Sequence, residues 1–349
     1  MSDTNLSAVM YARNDLRLED RPIPEPGPGQ VLLEMQQVGI CGSDIHFLTN
    51  GRIGDFIVKA PLVLGHESSA VVSKLGPNVT SLSVGDRVAV EPGVPCRVCE
   101  FCKIGRYNLC GEVRFCATPP DDGTLARYFV HDADFCFKLP DHVTFEEGAL
   151  LEPLSVAVHA TNRAGVGLGQ TVLICGAGPI GLVHILTCKA RGASVVCVTD
   201  IDPARLKVAK QIGADHVVTV TGKDSLATAQ AVEEAMGDKV DISMECSGAE
   251  ASIQAAIYAT KSGGTVVLVG LGHETARLPI VNASVREVDI KGTIRYANCY
   301  PTALAMVASG KVNVKPLVTH RFTLEESYKA FDVAKKGEGI KVMIRCSRV

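Results

Sequence analysis

Around the glycines at 176–181 the chain reads strand, tight turn, helix, strand and carboxylate, a succession that leaves few choices of fold. Thr171–Cys175 is apolar and β-branched, and Gly176-Ala177-Gly178-Pro179-Ile180-Gly181 follows at once. Residues 182–191 carry a helical pattern, and an apolar run at 194–199 ends on Asp200. Alone, G-x-G-x-x-G is a weak signal, because glycines gather in ordinary turns. Between a strand and a helix it predicts a dinucleotide-binding turn. Gly176 permits the bend, Gly178 lets backbone amides approach a pyrophosphate, and Gly181 brings the helix against the strand. The pyrophosphate, with Ile180 in the same turn, would rest at the helix N-terminus, where amides are unpaired and the dipole is favourable.

Asp200 lies 19 residues past Gly181, where a carboxylate accepts hydrogen bonds from ribose hydroxyls and repels a 2′-phosphate. NAD is therefore expected rather than NADP. Two readings compete: Arg205 nearby is able to meet a phosphate, and Asp200 is able to serve as a plain strand-end or cap residue before Pro203. The register favours the ribose. Residues 171–188 lack fixed charge over a length close to a bilayer span, but the internal GAGP splits them, so no membrane span is expected.

Apolar runs at 171–175, 194–199, 241–245 and 265–270 alternate with helical patterns such as 203–212 and 251–261. That alternation implies a doubly wound α/β domain, a parallel sheet with helices on both faces. The first ~150 residues differ. Short runs at 31–35, 63–64, 70–72 and 87–90, bounded by Gly, Pro, Asn and Asp, suggest a loop-rich, mainly antiparallel β domain. The segment 21–30, RPIPEPGPGQ, must be an extended connection. Beyond 293 come a helical segment at 302–309 and a strand-like run at 340–346, expected to return to the first domain. The expected division is 1–153, 154–293 and 294–349, with 349 residues ample for two cores.

Thirteen cysteines are present. Cys96, Cys99, Cys102 and Cys110 form C-x2-C-x2-C-x7-C, and four thiolates so close complete a closed tetrahedral Zn2+ shell, a structural rather than a reactive site. An iron–sulfur cluster or four free thiols are the alternatives; ferredoxin-type spacing differs. The other nine cysteines are dispersed, and no signal-like N-terminus precedes them, so reduced thiols and a cytoplasmic setting are expected. A formal net charge of −3, with no basic block, argues against a nucleic-acid partner.

A second set is looser: Cys41 in G-I-C-G-S-D-I-H, His66 and Glu67 in L-G-H-E, and Glu152 in L-L-E-P-L-S-V. A mixed Cys/His/Glu set leaves a position for water or a substrate oxygen, as catalytic zinc requires. Taken singly, Cys41 reads equally well as a small core residue, His66 as a satisfied polar group and Glu67 as a surface carboxylate. Spacing alone leaves both readings open.

These motifs, with the order of domains, resemble the zinc-containing medium-chain dehydrogenases over essentially the whole length. Within them the segments VEPGVPCRVCEFCKIGRYNLC, FCATPPDDGTLARY, LLEPLSVAVHA and VREVDIKGTIRYAN are similar to the sorbitol (polyol) dehydrogenase family. The resemblance implies a GroES-like catalytic domain, a Rossmann domain, NAD, and two Zn2+ per chain. It implies reversible oxidation of polyols such as sorbitol and xylitol to ketoses, in a homo-tetramer. Cys41, His66 and Glu67 would hold the catalytic metal, with Glu152, where alcohol dehydrogenases carry a cysteine, as ligand or as partner of its water. Ser43 and His46 would lead a proton away through the ribose hydroxyl. Val269, Gly270, Leu271, Thr293, Ile294 and Arg295 would surround the nicotinamide half, and Arg295 with Tyr296 would meet substrate hydroxyls. One departure stands out: Phe47 replaces a substrate-facing tyrosine common in the family, a change that either alters polyol preference or merely repacks. The rival readings are a xylitol, threonine or secondary-alcohol enzyme of the same fold, or a catalytically silent, NAD-binding structural protein of the lens-crystallin kind. The intact Cys41, Ser43, His66 and Glu67 set argues against the silent protein.

Overall fold

The computed structural model describes residues 4–348 and divides into two compact units. One comprises the chain up to Glu152, Tyr300–Gly310 and the segment from Val314 onward; the other is Pro153–Cys299 with Lys311–Asn313. The return therefore falls at Tyr300. Its ring stacks on Phe137 at 5.3 Å and its buried hydroxyl donates to the Val90 carbonyl at 2.8 Å, which anchors the start of the Tyr300–Ala308 helix in the first unit.

The first unit is built on a seven-stranded sheet. Cys136–Lys138, Arg87–Val90, Glu67–Leu75, Gln30–Gly39, Lys341–Arg345 and Val318–Thr323 lie in that order, with Tyr128–Asp132 also pairing Gln30–Gly39. Every pair is antiparallel except Val318–Thr323 with Lys341–Arg345. The 340–346 run is thus a strand, and it enters the middle of this sheet, opposing Met343 to Gly39. Its Ile344 joins Val31, Leu33, Val38 and Leu125 in one apolar core, so the C-terminal segment completes a core begun 300 residues earlier.

The second unit is a six-stranded, all-parallel sheet. Its order is His216–Thr219, Val195–Asp200, Thr171–Cys175, Val240–Glu245, Thr260–Leu268, Asp289–Gly292, the 3-2-1-4-5-6 arrangement of doubly wound dinucleotide folds. Thr171–Cys175 and most of Val195–Asp200 are continuous β-branched and apolar runs, as buried parallel strands are, whereas Val240–Glu245 interleaves Asp241, Ser243 and Glu245. The outermost strands are short, four residues each, and largely exposed, as sheet edges are, and the alternation in the sequence did not mark them. The helix read at 251–261 ends at Ala259, where Thr260 begins a strand. Among the described residues no helix is long and apolar enough to cross a membrane; 171–188 is strand, turn and the Pro179–Ala190 helix.

Candidate metal centres and dinucleotide site

Cys96, Cys99, Cys102 and Cys110 converge with their sulfurs within 4.8 Å of one another. A tetrahedron of four Zn–S bonds of ~2.3 Å has edges of about 3.8 Å; the Cys96–Cys102 and Cys99–Cys102 sulfurs stand 3.9 and 3.4 Å apart. Backbone amides of Val98 and Cys99 point at the Cys96 sulfur and hold its thiol down to about 6, in the thiolate form that metals bind. The set fits a closed zinc shell. Tyr107, inside this lobe, donates to the buried Glu91 carboxylate at 2.6 Å, and burial pushes Glu91 up to about 7.

The second cluster brings Cys41, His66 and Glu67 together, again with ligand atoms within 4.8 Å. Cys41 immediately precedes the Gly42–Asn50 helix, and Glu67 opens the Glu67–Leu75 strand. Asp44, fully buried, ties the two segments: it accepts from the Cys41 amide at 2.9 Å and the Gly65 amide at 3.0 Å, and lies 3.5 Å from His66 Nδ1. Burial opposes the Asp44 charge, but His66 and the two amides prevail, and its carboxyl falls below the usual range. Burial likewise opposes charge on His66, and Asp44 and Cys41 outweigh it, so the imidazole is held well above its ordinary range. A carboxylate on Nδ1 fixes the ring so that Nε2 is the nitrogen turned to a metal. Three donors of Cys, His and carboxylate type, two of them buried, fit a zinc site with a position left open.

Ser43 lies beside this cluster, its Oγ 3.5 Å from His66 Nε2. His46, three residues on along the same helix, is exposed and meets the Asn50 side chain at 3.4 Å. Glu152, buried in the first turn of the Leu151–Ala164 helix, is outside the set of convergent ligand atoms, yet its charge raises both Glu91 and Lys341. Phe47 is packed among apolar core side chains, 3% exposed. Lys341 and Asp44 escaped the sequence reading. Asp44 carried a signal, an acid three residues after Cys41 at a helix start; Lys341, in the last strand, carried none. Its ammonium sits 2.6 Å from both Glu67 oxygens and is buried with them.

In the second unit the glycine turn behaves as its spacing requires. Gly176 has φ 103°, and a Cβ on Gly181 would collide with the Gly176 carbonyl. Gly178 precedes the Pro179–Ala190 helix, a twelve-residue helix whose N-terminus is free to face a phosphate. Asp200 accepts from the Ala177 amide at 2.6 Å and the Asp202 amide at 2.8 Å, so the carboxylate is bound to the turn itself as well as placed at the strand end. Arg205 is 3.7 Å from Asp202. Across the switch point Gly248, Gly270 and Gly272 pack backbone against backbone, where any Cβ would collide. Of these, Gly248 and Gly272 were missed; the signal was glycine at the carboxyl ends of consecutive parallel strands. Val269 and Gly270 donate their amides to the Glu245 carbonyl, and Leu271 is exposed beside them. Thr293 Oγ1 is buried without a hydrogen-bond partner among the described residues, an opening for a ligand amide. Ile294 is exposed, Tyr296 is buried, and Arg295 has φ 50°, a left-handed conformation that costs a non-glycine residue ~1 kcal/mol or more and is concentrated at functional sites.

A mixed antiparallel unit with two zinc-type donor sets, joined in one chain to a dinucleotide-type unit, defines the class of zinc- and dinucleotide-dependent dehydrogenases. Family models agree: the alcohol dehydrogenase GroES-like domain matches residues 27–141 and the zinc-binding dehydrogenase model residues 179–309. Sorbitol dehydrogenase of Bos taurus is 60% identical over 342 residues, 98% of this chain and 96% of that protein; that of Homo sapiens is 59% identical over the same share. L-idonate 5-dehydrogenase from Escherichia coli superposes with a TM-score of 0.90 at 30% identity, covering 99% of each chain. The chain belongs to the sorbitol dehydrogenase family of the zinc-containing medium-chain dehydrogenases.

Proposed function

We infer that this protein oxidises polyols such as sorbitol and xylitol to ketoses, reversibly, with NAD and a catalytic zinc. The observation that carries the reading is the convergence of Cys41, His66 and Glu67 beside Ser43, in a chain 60% identical to a sorbitol dehydrogenase. Cys41, His66 and Glu67 would hold the catalytic zinc, and Cys96, Cys99, Cys102 and Cys110 the structural one. When bound, zinc supplies Lewis-acid polarisation of the substrate oxygen and NAD supplies the hydride acceptor.

The chain's own residues supply the rest. Asp44 keeps His66 oriented. Ser43 would accept the substrate hydroxyl proton as it releases its own to the cofactor's ribose hydroxyl, and His46, exposed on the same helix, would pass it to solvent. Glu152 is assigned to the water or substrate oxygen at the metal, since it lies outside the convergent set. Gly176, Gly178, Ile180 and Gly181 receive the pyrophosphate, Asp200 the ribose, and Thr293 with its neighbours the nicotinamide amide. For Arg295 and Tyr296 the assignment rests on chemistry: a polyol's many hydroxyls need partners when buried, and a guanidinium and a phenol provide them. An assembly of four copies would give a partner to the exposed Val281 of the Ile280–Ser284 helix and to Val285, which caps it. A reducing compartment such as the cytoplasm suits a chain whose thirteen cysteines form no disulfide, five of them being assigned here to zinc.

A panel of sorbitol, xylitol, threonine and secondary alcohols with NAD and NADP tests the reading. Highest kcat/KM is expected for a polyol with NAD; preference for threonine or for NADP would overturn it.

A further inference from the structure

We propose that Lys341 is a positioning residue for the catalytic metal: by engaging Glu67 it keeps that carboxylate a displaceable ligand and one coordination position exchangeable. The inference rests on the zinc reading of Cys41, His66 and Glu67. Lys341 Nζ donates to Glu67 Oε1 and Oε2, both at 2.6 Å, and to the Ile40 carbonyl at 3.1 Å. An ammonium has three donors, and all three are used. One accepting group follows His66 directly and the other precedes Cys41 directly, so one cation braces both ligand-bearing segments.

The sheet makes this possible. Glu67 and Met343 both oppose Gly39 from neighbouring strands, and a Cβ at Gly39 would collide with the Glu67 carboxylate and lie 3.3 Å from Lys341 Cδ. The missing side chain leaves the gap through which acid and lysine, 274 positions apart, meet. Stability alone is a weak reason for such a pair, since well-packed apolar replacements of buried ion pairs are commonly as stable. Its place against two metal-ligand segments is the stronger reason. With both oxygens bound to an ammonium, Glu67 is a poorer and more easily displaced donor than a free carboxylate.

The test is the rate at which zinc passes to excess chelator, read from the chelator's absorbance, with the zinc of residues 96–110 as internal reference. Lys341→Met leaves the buried Glu67 charge with the metal as its remaining cation, and release of the Cys41-dependent zinc is expected to slow about tenfold, with kcat falling more than KM rises. Lys341→Arg is expected to stay near wild type. In a Glu67→Gln background, Lys341→Met is expected to change release by less than about twofold, because the lysine acts through that carboxylate. Unchanged or faster release in Lys341→Met, or the same change in both backgrounds, would overturn the proposal. Should Lys341→Met not fold, Lys341→Gln, which keeps a donor for Ile40 without the charge, must show the same direction. Absence of any Cys41-dependent zinc in the wild type would instead sink the zinc reading itself.

Discussion

The lobe of residues 96–110 and the Cys41, His66 and Glu67 cluster offer donors for the same metal by opposite means. In the lobe four like ligands come from fifteen consecutive residues and close the shell on themselves. In the cluster three unlike ligands come from two segments, and their geometry is imposed from outside by Asp44 and by Lys341 of the last strand. A closed thiolate shell contributes folding energy and no reactivity. A mixed shell held by a larger scaffold keeps a position free, at the cost of buried charges that must each find a partner.

That contrast can be broken at several points. The largest effect is expected from Cys99→Ser. Structural zinc is worth on the order of 10 kcal/mol to small zinc domains, so loss of the lobe metal should unfold residues 96–110, read as new protease cleavage there and a lower Tm. The Cys41-dependent zinc should stay; its simultaneous loss would mean the two sites are not separate.

Glu91, reached by Tyr107 from the lobe, comes next. Its folded carboxyl titrates near 7 against an ordinary 4.5, so the folded state binds its proton more tightly than the unfolded state does. Stability is therefore full below pH 4.5, falls as pH rises through 4.5–7, and the loss reaches about 3 kcal/mol above 7. Glu91→Gln removes the penalty: its stability gain over wild type, measured by denaturant unfolding, should grow from pH 5 to pH 8. A gain independent of pH would contradict the assignment.

Asp44→Asn should weaken zinc binding or turnover by roughly 10–100-fold while leaving the lobe metal untouched. Equal loss of both zincs would show that Asp44 supports the unit as a whole. The smallest effect is expected at Phe47. Because it is packed in the apolar core, Phe47→Tyr should cost ~1 kcal/mol of stability and leave KM for sorbitol within about threefold. A large fall in KM would instead place residue 47 against the substrate.

The same contrast explains what was legible in the sequence. Cys96 to Cys110 could be read because every ligand is local, and Thr171–Cys175 to Asp200 because strand, glycines and helix succeed one another. The inner strands Thr171–Cys175 and Val195–Asp200 showed as apolar runs; the short, exposed edge strands His216–Thr219 and Asp289–Gly292 did not. Cys41, His66 and Glu67 were visible only as separate residues. What joins them is a pairing register that opposes Glu67 and Met343 to Gly39, and no local pattern encodes a contact between residues 67 and 341. Nor did spacing show that Asp200 binds the glycine turn, or that Glu152 stands apart from the convergent donors.

The proposed function needs two independent metal sites, a closed one at residues 96–110 and a reactive one at Cys41, His66 and Glu67. Zinc content and sorbitol turnover measured together on wild type and Cys41→Ser test it most directly. Two zincs per chain in the wild type are expected, and one in the variant, with turnover abolished and the Tm transition of the lobe retained. A single zinc insensitive to Cys41→Ser, or a variant that still turns over sorbitol, would contradict it.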